Sequence, residues 1–294
     1  MRDERIVKLA DMLVNYSVAV KPGDKVAIRG STLAEPLMRE VYIKVLQAGG
    51  YPLLNPTLPW ASEEFYRYAS DEQLQYIHEP LKQIISTYDV LISLMASGNT
   101  RNLSRVDPAK MVLADKASEE IMKIYMERAA KGELRWTLTL FPTEAHAMDA
   151  EMSLTEYEDF VYSACMPDKD DPVGYWKNVQ KRQDKAIAWL KGKKHVHVTA
   201  PGTDLTLSIA GRPFINCCCQ VNVPDGEIFT SPVENSANGY VNFTYPTMYE
   251  GFEVTNVRLE FKDGKAVKAT ADKNEAYLNA KLDIDAGARY HARC

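Results

Sequence analysis

Apolar positions along this chain follow two rhythms. In the first, helical and strand-like patterns alternate. Ile6, Leu9, Ala10, Leu13 and Val14 fall on one helical stripe over residues 4–16, which stops near Lys21-Pro22-Gly23-Asp24. Lys25–Arg29 predicts a strand, and Ser31 is placed to cap a helix that runs to Gln47 and ends at Ala48-Gly49-Gly50. A second strand is expected at Tyr51–Asn55, followed by helical segments between about 61 and 86. Asp89–Met95 is a continuous apolar run, the pattern of a strand buried on both faces of a parallel sheet. A long helix over about 107–130 and a fourth strand at Arg135–Phe141 complete this part. Repeated strand–helix–strand units imply a parallel sheet with right-handed crossovers.

Residues 143–192 read as helical, with Ser153-Leu154-Thr155-Glu156 matching a capping box. The period then shortens. His195–Thr199 and Leu205–Ile209 alternate around Ala200-Pro201-Gly202-Thr203-Asp204, a hairpin signal. Further strands are expected at Tyr240–Tyr245, Glu253–Phe261 and Ala266–Ala271, and a helix over 274–291. The expected fold class is α/β: a parallel-sheet domain over residues 1–170, then an α+β domain over 171–294 with mainly antiparallel strands. No internal repeat is evident.

Composition narrows the classes without choosing among them. The 294 residues, 46% hydrophobic and 26% charged, can bury a large core. A net charge of -5 with no basic block argues against a nucleic-acid binder. The N-terminus carries acids where a signal peptide needs an apolar core, and the longest apolar run, near Tyr88–Ala96, is too short to span a bilayer. Five cysteines, three of them adjacent at 217–219, do not form a secreted disulfide pattern. These features predict a cytoplasmic protein without a membrane partner.

Most candidate chemistries are weak. The loops after the strands, such as Gly30-Ser31-Thr32-Leu33-Ala34-Glu35, hold neither G-x-G-x-x-G nor a P-loop lysine, and no G-x-S-x-G elbow occurs. His195 and His197 would share one face of a strand, but with no acid close by in sequence they are expected to face solvent. Cys217 and Cys219 could present thiolates from one side of a strand. Without C-x-x-C spacing, the cysteines are expected to fill small apolar spaces. His78 and His146 are expected in helical segments without a convincing partner.

Glu227 stands in a more distinctive context. Asn222-Val223-Pro224-Asp225-Gly226-Glu227-Ile228-Phe229-Thr230-Ser231-Pro232 sets it between a Pro-Asp-Gly turn and the short β run Ile228-Phe229-Thr230. A turn of this kind holds a carboxylate at the mouth of a strand, where a metal could be met; it also commonly carries a solvated acid. The residues alone leave both readings open.

The same stretch resembles the signature of the thermophilic-type metallo-aminopeptidases, peptidase family M29, the aminopeptidase T and aminopeptidase S group. Pro201-Gly202-Thr203-Asp204-Leu205-Thr206-Leu207 with Gly211-Arg212, and Asp283-Ile284-Asp285-Ala286-Gly287-Ala288-Arg289, extend the resemblance from the N-terminal helix to about residue 290. The resemblance implies a homodimeric exopeptidase acting on peptide substrates. It implies an α/β N-terminal domain and a two-metal site, served by zinc, cobalt or magnesium, in the domain that follows. Glu227 matches the first metal-ligand glutamate of the family's G-E-[IV]-F-T motif. The substrate's free α-amine would dock beside the metals.

The chain departs from the pattern at its end. A second ligand glutamate is expected in a G-A-R-x-x-G-E segment, whereas the chain reads Gly287-Ala288-Arg289-Tyr290-His291-Ala292-Arg293-Cys294, with Arg293 in the carboxylate's slot. A cation there would repel a metal. The family's later histidine, tyrosine and aspartate positions have no counterpart, so a C-terminally incomplete copy, inactive alone, is expected. Two readings stay open: a metallo-aminopeptidase, or a non-catalytic scaffold and dimerisation remnant of that family.

Overall fold

The structure, a computed structural model, describes residues 3–249, 252–283 and 287–290. The chain divides into two compact units, Met1–Lys181 with Cys217–Glu227, and Arg182–Asn216 with Ile228–Cys294.

The first unit is built on a parallel sheet. Its strands are β1 (Lys25–Ser31), β2 (Tyr51–Thr57), β3 (Val90–Met95) and β4 (Arg135–Leu140), in the order β2-β1-β3-β4, and the short segment Asn222–Val223 pairs in parallel with β4 at the far edge. β3 is the apolar run expected to be buried on both faces, and it is. Val90, Ile92 and Leu94 pack into one cluster with Leu9, Leu13, Leu37 and Val41, while Leu91 joins Ala27, Ile85 and Leu134 on the other face. The helix Pro108–Ala130 follows β3, starting at an Asp107 cap and Pro108. The N-terminal stripe forms as expected, but it is α-helical only over Glu4–Asp11 and continues as a π-helix through Ser17. The wider turn keeps Met12, Leu13 and Val14 buried together. Ser31 caps a short 3-10 turn, Thr32–Ala34, ahead of the helix Glu35–Gln47. The Ser153/Glu156 capping box forms with both reciprocal bonds.

The second unit is an antiparallel sheet. β5 (His195–Ala200) and β6 (Thr203–Ser208) form the expected hairpin. A two-residue ladder joins β7 (Ile215–Asn216) to β9 (Ile228–Phe229), where β8 denotes the Asn222–Val223 segment of the first unit. β10 (Asn238–Phe243) pairs with β6 and with β13 (Val257–Lys262), and β13 pairs with β14 (Lys265–Thr270), across a small hairpin of β11 (Thr247–Tyr249) and β12 (Phe252–Val254). The strand expected over Glu253–Phe261 is therefore two strands, interrupted where Asn256 takes a left-handed φ of 52°. The helix expected over 274–291 is described only over Glu275–Leu282. Residues 284–286 and 291–294, which include Arg293, lie outside the described residues. No described helix is long and apolar enough to cross a membrane.

Candidate metal centre

The segment that carries Glu227 starts where the β7–β9 ladder ends. Ile215 pairs with Phe229 and Asn216 with Ile228, so Cys217 comes opposite Glu227, and the Cys217 N–H donates to the Glu227 carbonyl at 2.9 Å. Side chains directly opposite each other in an antiparallel pair lie on the same side. Between these two residues the chain loops through the first unit's core. Cys218 and Cys219 are fully buried there, and the Tyr16 hydroxyl donates to the Cys218 carbonyl at 2.9 Å. β8 is then held on β4 by side chains as well as by backbone. The Thr137 hydroxyl donates to Val221 O and the Thr139 hydroxyl to Val223 O, both at 2.8 Å, and both threonines are buried. Each such bond contributes about 1 kcal/mol and leaves an orphaned buried hydroxyl if broken.

The turn after β8 aims the acids. Gly226 takes φ +123°, a conformation strained for any residue with a Cβ, and it faces the buried Trp176, whose indole N–H donates to Cys165 O at 2.8 Å. The Gly226 amide donates to the Asp225 carboxylate at 3.0 Å. The result is a cluster in which one ligand atom each from Cys217, Asp225 and Glu227 lies within 4.8 Å of the others. Cys217 and Asp225 are half-buried and Glu227 is exposed. Burial pushes the Asp225 carboxyl above the usual range and Glu227 adds repulsion, while the amides of Gly226, Glu227 and Cys219 pull the other way. Burial and then the two carboxylates push the Cys217 thiol up as well. An arrangement that crowds anionic donors around partly desolvated space fits a divalent cation. Sulfur and two carboxylate oxygens are ordinary ligands for zinc-like metals.

A sequence profile of the thermophilic metalloprotease (M29) family matches residues 2–292. The chain belongs to that family. Aminopeptidase 2 of Geobacillus stearothermophilus is 25% identical over 321 aligned positions, covering 98% of this chain and 75% of that protein. Aminopeptidase T of Thermus thermophilus is 24% identical, covering 96% and 74%. The solved structure of wild-type AmpT from Thermus thermophilus superposes with a TM-score of 0.82 at 21% identity, over 97% of this chain and 76% of that one. That likeness shows the fold: the parallel N-terminal sheet followed by the antiparallel region is the M29 architecture.

The other residues singled out by sequence separate within this M29 chain. Cys218 and Cys219 fill apolar space as expected, and so does Cys165, whose thiol burial pushes up to about 12. Cys217 does not. It is half-exposed and stands beside the two acids, because the Cys217–Cys219 run lies in a bend where Cys219 has φ +60° instead of continuing a strand. His195 and His197 face solvent from β5, but His197 has an acid partner: its Nε2 lies 2.8 Å from Asp204 on β6, brought across by the hairpin. His78 is not helical; it precedes the helix Glu79–Thr87 and meets Tyr76 edge-on. His146 does lie in a helix, Glu144–Asp149, and has a partner, Thr143 Oγ1, at 3.0 Å from its Nδ1. None of these histidines joins the Cys217–Asp225–Glu227 cluster.

Burial holds the His146 pKa below its ordinary value, with Asp149 opposing. The native state thus favours the neutral ring, while the unfolded chain takes up a proton near pH 6.5. This contribution to stability is fully present above about pH 6.5 and is lost as the pH falls from there through the lower folded-state value. The thermal midpoint of the wild type should therefore fall relative to that of His146→Gln as the pH is lowered from about 7.5 to 5. Parallel curves over that range would rule His146 out as the source.

Proposed function

We propose that this chain is a cytoplasmic, homodimeric aminopeptidase that releases N-terminal residues from peptides with two divalent metal ions, of which Glu227 is a ligand. The observation that carries the reading is the convergence of the Cys217, Asp225 and Glu227 donors on the Gly-Glu-Ile-Phe-Thr segment of an M29 chain. Family membership supports the metal dependence, and the relatives' aminopeptidase names support the exopeptidase class.

When bound, such ions supply an acidified water and polarise the scissile carbonyl. The protein's own part is positioning. Thr137 and Thr139 fix β8 on the parallel sheet, Gly226 turns the chain against Trp176, and the ladder's end sets Glu227 opposite Cys217, so the short segment with both carboxylates is held at each end by a strand. Glu227 is exposed, which leaves its carboxylate open to an incoming peptide. The relatives' aminopeptidase names imply a substrate with a free α-amine, a group that an N-acylated chain lacks.

A matched pair of short peptides, one with a free N-terminus and one N-acetylated, tests this directly. The free peptide should lose its first residue. The acetylated one should survive, and a chelator should stop the reaction until zinc, cobalt or magnesium is returned. Cleavage of both peptides alike, or full activity in chelator, would overturn the proposal.

A further inference from the structure

The metal-ligand reading of Glu227 leaves Cys217 unexplained. Among the described cysteines it alone is not buried; Cys165, Cys218 and Cys219 lie in the core. Its backbone is fixed to Glu227 by the 2.9 Å N–H···O bond, and its ligand atom, with one from each carboxylate, lies inside a 4.8 Å circle. Metal–sulfur bonds of about 2.3 Å and metal–oxygen bonds of about 2.0–2.2 Å put two ligands of a tetrahedral ion roughly 3.3–3.7 Å apart. The donors therefore need move by little more than a side-chain rotation to share an ion. Glu227 and Asp225 offer hard oxygen, whereas a thiolate selects borderline and soft metals.

We propose that Cys217 is itself a ligand of the metal held by Glu227, with Asp225 completing a sulfur-and-carboxylate donor set that favours zinc or cobalt over magnesium. The proposal rests on the metal-binding reading given above. Three observations support it independently of the family's motif: the hydrogen bond that sets Cys217 opposite Glu227 just past the ladder, the partial exposure of that one thiol, and the anchoring of the intervening loop by the Tyr16, Thr137 and Thr139 hydroxyls. It also predicts that a thiol-directed reagent competes with metal at this position.

Cobalt(II) added to the metal-stripped 294-residue chain separates the possibilities, because ligand field bands in the visible report binding and a near-ultraviolet sulfur-to-cobalt band reports a thiolate ligand. The wild type should show both. Cys217→Ser should keep visible bands but lose the near-ultraviolet band, and should bind cobalt at least about tenfold more weakly, since loss of even an outer-shell partner costs about 10–100-fold. Its zinc-over-magnesium preference should narrow in the same titrations. Visible bands without the near-ultraviolet band in the wild type, or a near-ultraviolet band that survives Cys217→Ser, would overturn the Cys217 assignment and leave Glu227 as a ligand. No visible bands in the folded wild type would overturn the Glu227 reading, and this proposal with it. Near-ultraviolet circular dichroism of each metal-free variant checks the fold, and Cys217→Ala serves as a second variant should the serine disturb it.

Discussion

In the Glu227→Gln variant, release of N-terminal residues should fall by on the order of 10³-fold, the equivalent of losing about 4 kcal/mol of transition-state stabilisation. The substitution keeps the shape of the side chain and one oxygen, but removes the charge that balances a divalent ion. Stability should hardly change, because Glu227 is exposed and its charge only repels the neighbouring Asp225 and Cys217. The backbone carbonyl that accepts from Cys217 is untouched by the change. The deficit should thus appear in kcat/KM and in bound metal per chain by elemental analysis, with the thermal midpoint within about a degree or two of wild type. Activity within a few-fold of wild type would remove Glu227 from the centre, whatever the family signature says.

Part of this arrangement was legible in the sequence. The Asp89–Met95 run predicted a doubly buried strand because an apolar stretch of that length has no polar face to offer solvent, and β3 sits at the middle of the sheet. The Ser153/Glu156 box and the β5–β6 hairpin were legible for a similar reason: their signals are local and depend on a few side chains at fixed spacing. β8 was not. Two residues carry no period, and Asn222–Val223 becomes a strand because Thr137 and Thr139, over eighty positions earlier, present hydroxyls to its carbonyls. The same non-local step hid the candidate centre. Glu227 stood out through its Pro-Asp-Gly turn, but Cys217 is ten positions away, and only the closing of the β7–β9 ladder makes them neighbours. The acid partner of His197 is hidden for a related reason, since Asp204 is a neighbour only across the β5–β6 hairpin.

The second large effect is on stability. Gly30→Ala should destabilise the first unit by about 3 kcal/mol or more, at the upper end of what overpacking usually costs. Gly30 lies in β1, which has β2 on one side and β3 on the other, with Gly30 in register with Pro56 and Leu94. A Cβ there would sit 2.2 Å from the Leu94 carbonyl oxygen and 3.0 Å from the Leu94 Cβ, with φ at +158°. The obstacle is backbone of a central strand, so no rotamer change relieves it. β1 and β3 would have to part near their C-terminal ends, loosening the cluster around Ile28, Ile92 and Leu94. Gly98→Ala is the natural comparison: its Cβ would meet only the flexible Leu33 Cδ1 at 3.4 Å, an ordinary contact. A thermal midpoint lowered by roughly 6–12 °C in Gly30→Ala, with Gly98→Ala near wild type, is the expected pair of results. Because the chain holds two compact units, the loss should appear in the transition of the first, followed by the near-ultraviolet signal of Trp136 and Trp176. Equal midpoints for the two variants would mean that the Leu94 backbone yields to an added Cβ at little cost, and would overturn this prediction.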